Sequence, residues 1–286
     1  MLKRKHMIAF FAFVFFMVGV HWYVVSTRID PATGFYHTVD AVTRSFNIAM
    51  VALGAFGLLF LFFAPNKKST ATIELPRTAE YIFASSTIIL SAFFIYNFIC
   101  NKNVKMQFMP LGMASVPKPI LENIPNLQPY FSLASGLVFL LQGVFLLFNM
   151  RDLLSLNIFK VAQVIPVFWT VFETIRICFA YTTVCYIIEH VIEVFAITFI
   201  MRTIHLQTFI FTLRKCSLNL VIMYIVGGLG AIFFGLMAIV PFYLNPVLQK
   251  LHSPYFSYQV EHLFFVLAVP YILSFLFFAS VTKVES

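Results

Sequence analysis

KVAQVIPVFWTVFETIRICFAYTTVCYIIEHVIEVFAITFIMRTIHLQ, Lys160 to Gln207, is almost continuously apolar and yet carries Glu173, Arg176, Glu189, His190 and Glu193. As one helix it would reach roughly 70 Å at about 1.5 Å per residue, more than twice a hydrocarbon core of about 30 Å. It must fold back. Tyr181-Thr182-Thr183 is the natural place, because a hydroxyl there can cap the second helix while β-branched residues weaken the first. In an antiparallel hairpin centred on these residues, positions whose numbers sum to about 365 lie at equal depth. Arg176 and Glu189 satisfy this, and Glu173 and Glu193 nearly do. Glu173 and Arg176 are i, i+3 and Glu189 and Glu193 are i, i+4, so each helix gathers its charges on one face. The two faces are predicted to meet.

The rest of the composition agrees with a membrane setting. Hydrophobic residues make up 61% of the chain and charged residues only 10%, and several apolar runs reach the length of a span, which is the pattern of an all-α, polytopic transmembrane bundle. Outside these runs no segment is long enough to build a core of its own, so residues 1–286 are read as a single integral membrane domain. The net charge of +8 could suggest nucleic acid, but loops that collect Lys and Arg on the cytoplasmic side explain it, and no nucleic-acid module is present. The four cysteines, Cys100, Cys178, Cys185 and Cys216, show neither a disulfide framework nor metal-site spacing.

In chain order, Lys3-Arg4-Lys5 precede a first span from about Met7 to Thr27, with His21, Trp22 and Tyr23 expected at the membrane interface. Asp30-Pro31-Ala32-Thr33-Gly34 is turn chemistry. Spans two and three run from about Arg44 to Ala64 and Glu80 to Cys100. The connection Asn101 to Tyr130 has prolines at 110, 117, 119, 125 and 129, which predicts an irregular lid against the membrane. Span four follows from about Phe131 to Met150, with Ser135, Gly136 and Gly143 allowing a close neighbour. After the hairpin of spans five and six, ending between Arg202 and Gln207, span seven covers about Leu213 to Pro241. Its Gly227, Ala231 and Gly235 form a strip of small residues. Phe242 to Gln259, rich in Pro, Tyr and Phe, is read as interfacial, and Val260 to Val281 is the last span. The many phenylalanines are expected to face lipid.

Eight spans put both termini on one side. No Gly or Pro enforces the fold-back at Tyr181, so seven is the alternative count. With the N-terminus cytoplasmic, Lys3, Arg4, Lys5, Lys67, Lys68, Arg77, Arg151, Lys160, Arg202, Arg214, Lys215 and Lys283 fall inside, against Arg28, Arg44, Lys102, Lys105, Lys118 and Lys250 outside. The positive-inside rule therefore favours cytoplasmic termini. No internal repeat supports a repeat-built transporter.

Charges deep in a bilayer face the bundle interior, pair with one another and mark function. Three carboxylates, Glu173, Glu189 and Glu193, confront one guanidinium, Arg176, with His190 about 100° round the helix from Glu189. A carboxylate left over takes up a proton or a cation, which makes these five residues a candidate binding site. A structural network that fixes helix register is the competing reading. Glu189-His190-Val191-Ile192-Glu193 also resembles a scrambled zinc-protease motif, with Glu261-His262 as a second source of ligands. The metal and any cofactor stay unnamed by the sequence. Asn47, Asn97, Gln142 and Asn219 are expected to join helices rather than hold a ligand. Three functions follow in order: binding or transport of a small solute or cation, a non-catalytic sensor or assembly subunit pairing with a partner protein, and a membrane-embedded metalloenzyme.

The basic start, the segment Asp30 to Tyr36 (DPATGFY) and the run Pro166 to Arg176 (PVFWTVFETIR) ahead of a Glu-bearing helix together resemble uncharacterised multi-pass membrane proteins of low-GC Gram-positive bacteria. The resemblance implies a bacterial cytoplasmic membrane and no particular activity.

Overall fold

A computed structural model of the chain describes residues 4–28, 39–63, 69–74, 76–102, 118–154, 156–180, 187–213, 215–244, 258–278 and 280–285. Helices dominate it. The first pair, α1 (Arg4–Arg28) and α2 (Ala41–Phe63), leads to a short strand β1 (Thr70–Glu74) and then to α3 (Arg77–Asn101) and α4 (Lys118–Leu147). Two short pieces, α5 (Arg151–Leu154) and α6 (Asn157–Ala162), precede the hairpin of α7 (Ile165–Ala180) and α8 (Ile187–Leu213). The strand β2 (Lys215–Ser217), helices α9 (Leu218–Leu244) and α10 (Tyr258–Phe278), and the strand β3 (Ser280–Glu285) follow. Among the described residues, 7 helical stretches are long and apolar enough to cross a membrane: Lys5–Arg28, Ala41–Phe63, Arg77–Asn101, Leu127–Leu147, Asn157–Ile175, Val191–Ile210 and Leu218–Val240. The apolar stretch of α10, Leu263–Leu276, is shorter, but the whole helix of 21 residues is about 31 Å long by its rise, the length of an eighth. The protein is an all-α multi-pass membrane bundle.

The stretch that opened the reading does fold back, α7 ending at Ala180 and α8 starting at Ile187. Residues 181–186, where a Tyr181-Thr183 turn is predicted, lie outside the described residues. A further break, not foreseen, separates α6 from α7 at Gln163 and Val164. Pro166 explains it, since its missing N–H cannot bond the Ala162 carbonyl. α8 is the central helix. Of its apolar stretch 67% is buried, against 22% for α2, and it packs on α2, α7, α9 and α10.

Small residues set the spacing of these helices. A Cβ on Gly136 would stand 3.2 Å from the Ser91 carbonyl oxygen, and one on Gly143 would stand 3.1 Å from that of Ala84, so α4 lies almost on the backbone of α3. The strip on α9 works likewise, Gly227 meeting Thr203 of α8 and Gly235 meeting Val269 of α10. At the end of α4, Asn149 has φ 56. The Met150 amide bonds the Phe145 carbonyl at 2.7 Å and the Asn149 amide bonds that of Leu146 at 3.2 Å, a Schellman cap in which Asn takes the left-handed position.

Several expectations are corrected. Prolines 119, 125 and 129 do not forbid a helix, because α4 begins at Lys118 and contains all three. Pro119 sits in the first turn, where its N–H has no intrahelical partner anyway. Pro125 and Pro129 are i, i+4, so their lost bonds fall on one side and leave the other sides of the ladder whole. The lid segment 103–117 and the loop 245–257 lie outside the described residues. Phenylalanine is not only lipid-facing filler. Phe83, Phe94, Phe139, Phe199, Phe234, Phe264, Phe265 and Phe275 are among the most buried side chains, while Phe56 and Phe63 face outward. In a bilayer, association rests on close packing rather than on escape from water, and flat rings against glycines supply contact area. His21 is buried rather than interfacial, stacked on Phe46 at 5.2 Å with Nδ1 3.2 Å from the Met237 carbonyl oxygen.

At the far end of α1, Arg28 pairs with Asp40 at 2.7 Å. Asp40 is also the N-cap of α2, accepting from the Thr43 amide and hydroxyl at 2.9 Å each. Those two bonds, aided by the Arg28 charge, hold its carboxyl below the usual range.

The three strands form one sheet in the order β2-β1-β3, all antiparallel. Thr70 stands opposite Ser217 on one side and Glu285 on the other. This small sheet, absent from the sequence reading, counts the crossings. β1 and β2 can share an end of the bundle only if the chain between them crosses an even number of times. α3, α4, the α6–α7 unit and α8 give four crossings; α9 and α10 give two more before β3. An unbroken span across Tyr181 would put β2 at the wrong end, so the sheet selects eight spans over seven. Cysteines at Asn66 and Lys283, in a background without the native cysteines, should label from the same face of sealed vesicles, and a cysteine at Lys118 from the other. Asn66 and Lys283 reacting from opposite faces would rule out the sheet.

Candidate functional site

The hairpin register follows from contacts at its open end. The His205 ring of α8 lies beside the backbone of Gln163, next to the α6–α7 break. Extending that pairing along two antiparallel helices places Glu173 opposite residue 195, about 3 Å in depth from Glu193. Both carboxylates are buried, Glu173 being 1% and Glu193 6% exposed.

The third wall is α4. Phe131 stacks on Phe172 with centroids 4.8 Å apart and leans on Phe168 at 5.7 Å, which locks α4 against α7. Gln128, one turn before Phe131, is thereby held so that Nε2 donates to Oε2 of Glu173 at 2.8 Å. A neutral amide donor satisfies a carboxylate oxygen without cancelling its charge. Trp169, one turn before Glu173 on the same face, packs edge-on against Phe94 at 4.9 Å and Phe264 at 5.2 Å. Its indole N–H has no hydrogen-bond partner among the described residues.

Of the five residues predicted for the site, Glu173 and Glu193 are thus buried at similar depth. Arg176, Glu189 and His190 belong to α7 and α8, but their side chains lie outside the described residues, as do those of Glu261 and His262. Among the described residues no three His, Cys, Asp or Glu side chains gather as a metal-holding group. Gln128 and Trp169 are additions. Gln128 escaped notice because it lay in the segment read as loop.

Nearer the sheet, α8 carries a second polar belt. Gln142 Nε2 donates to Thr208 Oγ1 at 3.3 Å, and Gln163 Nε2 donates to Gln142 Oε1 at 3.4 Å. About 100° round α8, the Tyr224 hydroxyl bonds Gln207 Oε1 at 3.1 Å and the Ile272 carbonyl at 3.3 Å. The sequence reading placed Arg202 to Gln207 at a helix end. α8 continues to Leu213, so these residues lie within the helix and Arg202 is not a loop charge. The signal was available: Phe209-Ile210-Phe211 stays apolar, with no Gly or Pro to stop the helix. Asn97 joins α3 to α4 through Ser132 at 3.1 Å, as expected of a helix-joining residue. Asn219 Nδ2 reaches Met223 Sδ on its own helix, and Asn47 Oδ1 has no partner among the described residues. No protein-family model, curated protein or solved structure matches this chain.

Proposed function

We propose that the protein binds or transports a small cation or cationic solute through the site at Glu173 and Glu193, with Gln128 and Trp169 in its wall. One observation carries this reading: a carboxylate 1% exposed in the middle of a helical bundle, with the Gln128 amide among its partners. Intramembrane carboxylates are expensive to keep and mark ion, proton or solute paths. The orphaned indole N–H one turn away suits a ligand that also carries a hydrogen-bond acceptor. In the same reading the membrane is a bacterial cytoplasmic one and both termini are cytoplasmic. Placing Arg202 within α8 rather than in a loop lowers the loop-charge count of that side by one and leaves its excess of Lys and Arg intact.

Purified protein should be stabilised against heat by sodium, potassium or a small organic cation such as methylammonium. The effect should weaken as pH falls, because protons compete for the same oxygens. Glu173→Gln and Glu193→Gln, which keep shape and remove charge, should each abolish the stabilisation. A variant that responds like the parent, or a parent that responds to no cation, sinks the proposal and leaves the carboxylates as a structural network.

A further inference from the structure

We infer that Arg202 and His205 form a phosphate-binding site at the sheet end of the bundle, on the seam between α2 and α8. It is separate from the carboxylate site and does not depend on it. The argument starts from depth. Thr203 Oγ1 and Leu61 Cδ2 lie 2.8 and 3.3 Å from where a Cβ on Gly227 would stand, so residue 61 of α2, residue 203 of α8 and residue 227 of α9 share one level. α2 stops two residues beyond Leu61, at Phe63, whereas α8 continues ten residues beyond Thr203, to Leu213. With 23 residues α2 is about 34 Å long, close to a hydrocarbon thickness of about 30 Å, while the 27 residues of α8 reach about 40 Å. α8 therefore runs past the last described residue of α2, and Arg202 lies about three residues before the level of that end, roughly 5 Å from it, so that a long side chain reaches toward the interface.

The orientation of the side chain agrees. The Arg202 guanidinium carbon lies 5.6 Å from the centroid of Phe62, a ring 59% exposed on the outer rim. A guanidinium laid over a lipid-facing ring at this depth is where a phospholipid phosphate arrives. The aromatic face contributes attraction but no acceptor atom. Among the described residues no carboxylate pairs with Arg202. Its Nε has no hydrogen-bond partner among the described residues, and neither has Nδ1 of His205, one turn further along α8. A half-buried guanidinium with an orphaned N–H needs an anion, and its planar fork suits phosphate oxygens. His205 Nδ1 then meets the same group, accepting a proton from a free phosphate or, when the ring is protonated, donating to an oxygen of a headgroup phosphodiester, which carries no proton of its own. The phosphate comes either from an anionic lipid headgroup or from a free phosphate.

The two sources are separable. Protein in neutral detergent should gain several degrees of thermal stability from added phosphatidylglycerol and none from phosphatidylcholine; inorganic phosphate alone producing the same gain would assign the site to a free anion. Arg202→Gln should weaken the response by at least about fivefold, roughly the worth of one basic residue beside anionic lipid, whereas Arg202→Lys should retain part of it. His205→Gln should weaken it less. Should Arg202→Gln fail to fold, native mass spectrometry of the parent decides. Phosphatidylglycerol adducts should outlast phosphatidylcholine adducts, and equal retention overturns the site. So does a parent insensitive to both phosphatidylglycerol and phosphate, or an Arg202→Gln protein that responds as the parent does.

Discussion

Replacing Phe199 by alanine should destabilise the protein by about 2–3 kcal/mol. In a water-soluble core such a truncation costs about 3–5 kcal/mol, part of it the transfer of the ring from water. In a bilayer that part largely vanishes, because lipid tails are as apolar as the bundle interior, and what remains is lost packing. Here the packing is dense. Phe199 is 1% exposed and stacks on Phe234 with centroids 5.4 Å apart and planes within 12°. The ring also fills the space over Gly57 of α2 and Gly230 of α9, where added Cβ atoms would come within 2.6 and 2.5 Å of it. One side chain of α8 therefore spaces two other helices. Gly57→Ala or Gly230→Ala alone should cost about 1–3 kcal/mol by overpacking, yet either should be nearly neutral in the Phe199→Ala protein, where the new methyl enters the vacated space. Thermal midpoints across that cycle, supported by pulse proteolysis, would check it. Additive losses would mean that ring and glycines do not share this contact.

The second large effect concerns Gln128. Leucine at this position should cost about 1.5–3 kcal/mol, the range for losing a hydrogen bond to a charged group, because Glu173 keeps its buried carboxylate and loses a donor. Changing Glu173 to leucine as well should recover much of the loss, since the desolvated charge leaves with the second substitution. Should the double variant instead show the sum of the two single losses, Gln128 matters only as filler. Gln128→Asn, which keeps the amide but shortens its reach, should fall between the parent and the leucine variant.

How much was legible from sequence depends on the kind of signal. The spans were, because hydropathy needs only local composition, and the fold-back between Ala180 and Ile187 followed from length alone. Glu173 and Glu193 stood out for the same reason: a charge in an apolar run is visible without neighbours. Gln128 was not, because proline was read as a helix breaker and the two losses of Pro125 and Pro129 were not placed on one helical side. Arg202 and His205 read as a helix end because polar residues interrupt the run there, although the apolar period continues through Phe211. The sheet could not be read at all. Thr70–Glu74, Lys215–Ser217 and Ser280–Glu285 are too short and too far apart in sequence to betray a pairing that only the helix bundle brings about.

That sheet has a consequence for how the protein is made. Thr70 pairs with Glu285 on one side and Ser217 on the other, so β1 emerges from the ribosome long before either partner. Four crossings must enter the bilayer before β2 can dock, and two more before β3 can. Throughout that interval β1 is a strand with two bare edges at the membrane surface, open to pairing with another nascent chain or to a chaperone. Its brevity limits the hazard. Closure of the sheet then comes as a late step, joining the first half of the bundle to the last helix once every intervening span is inserted.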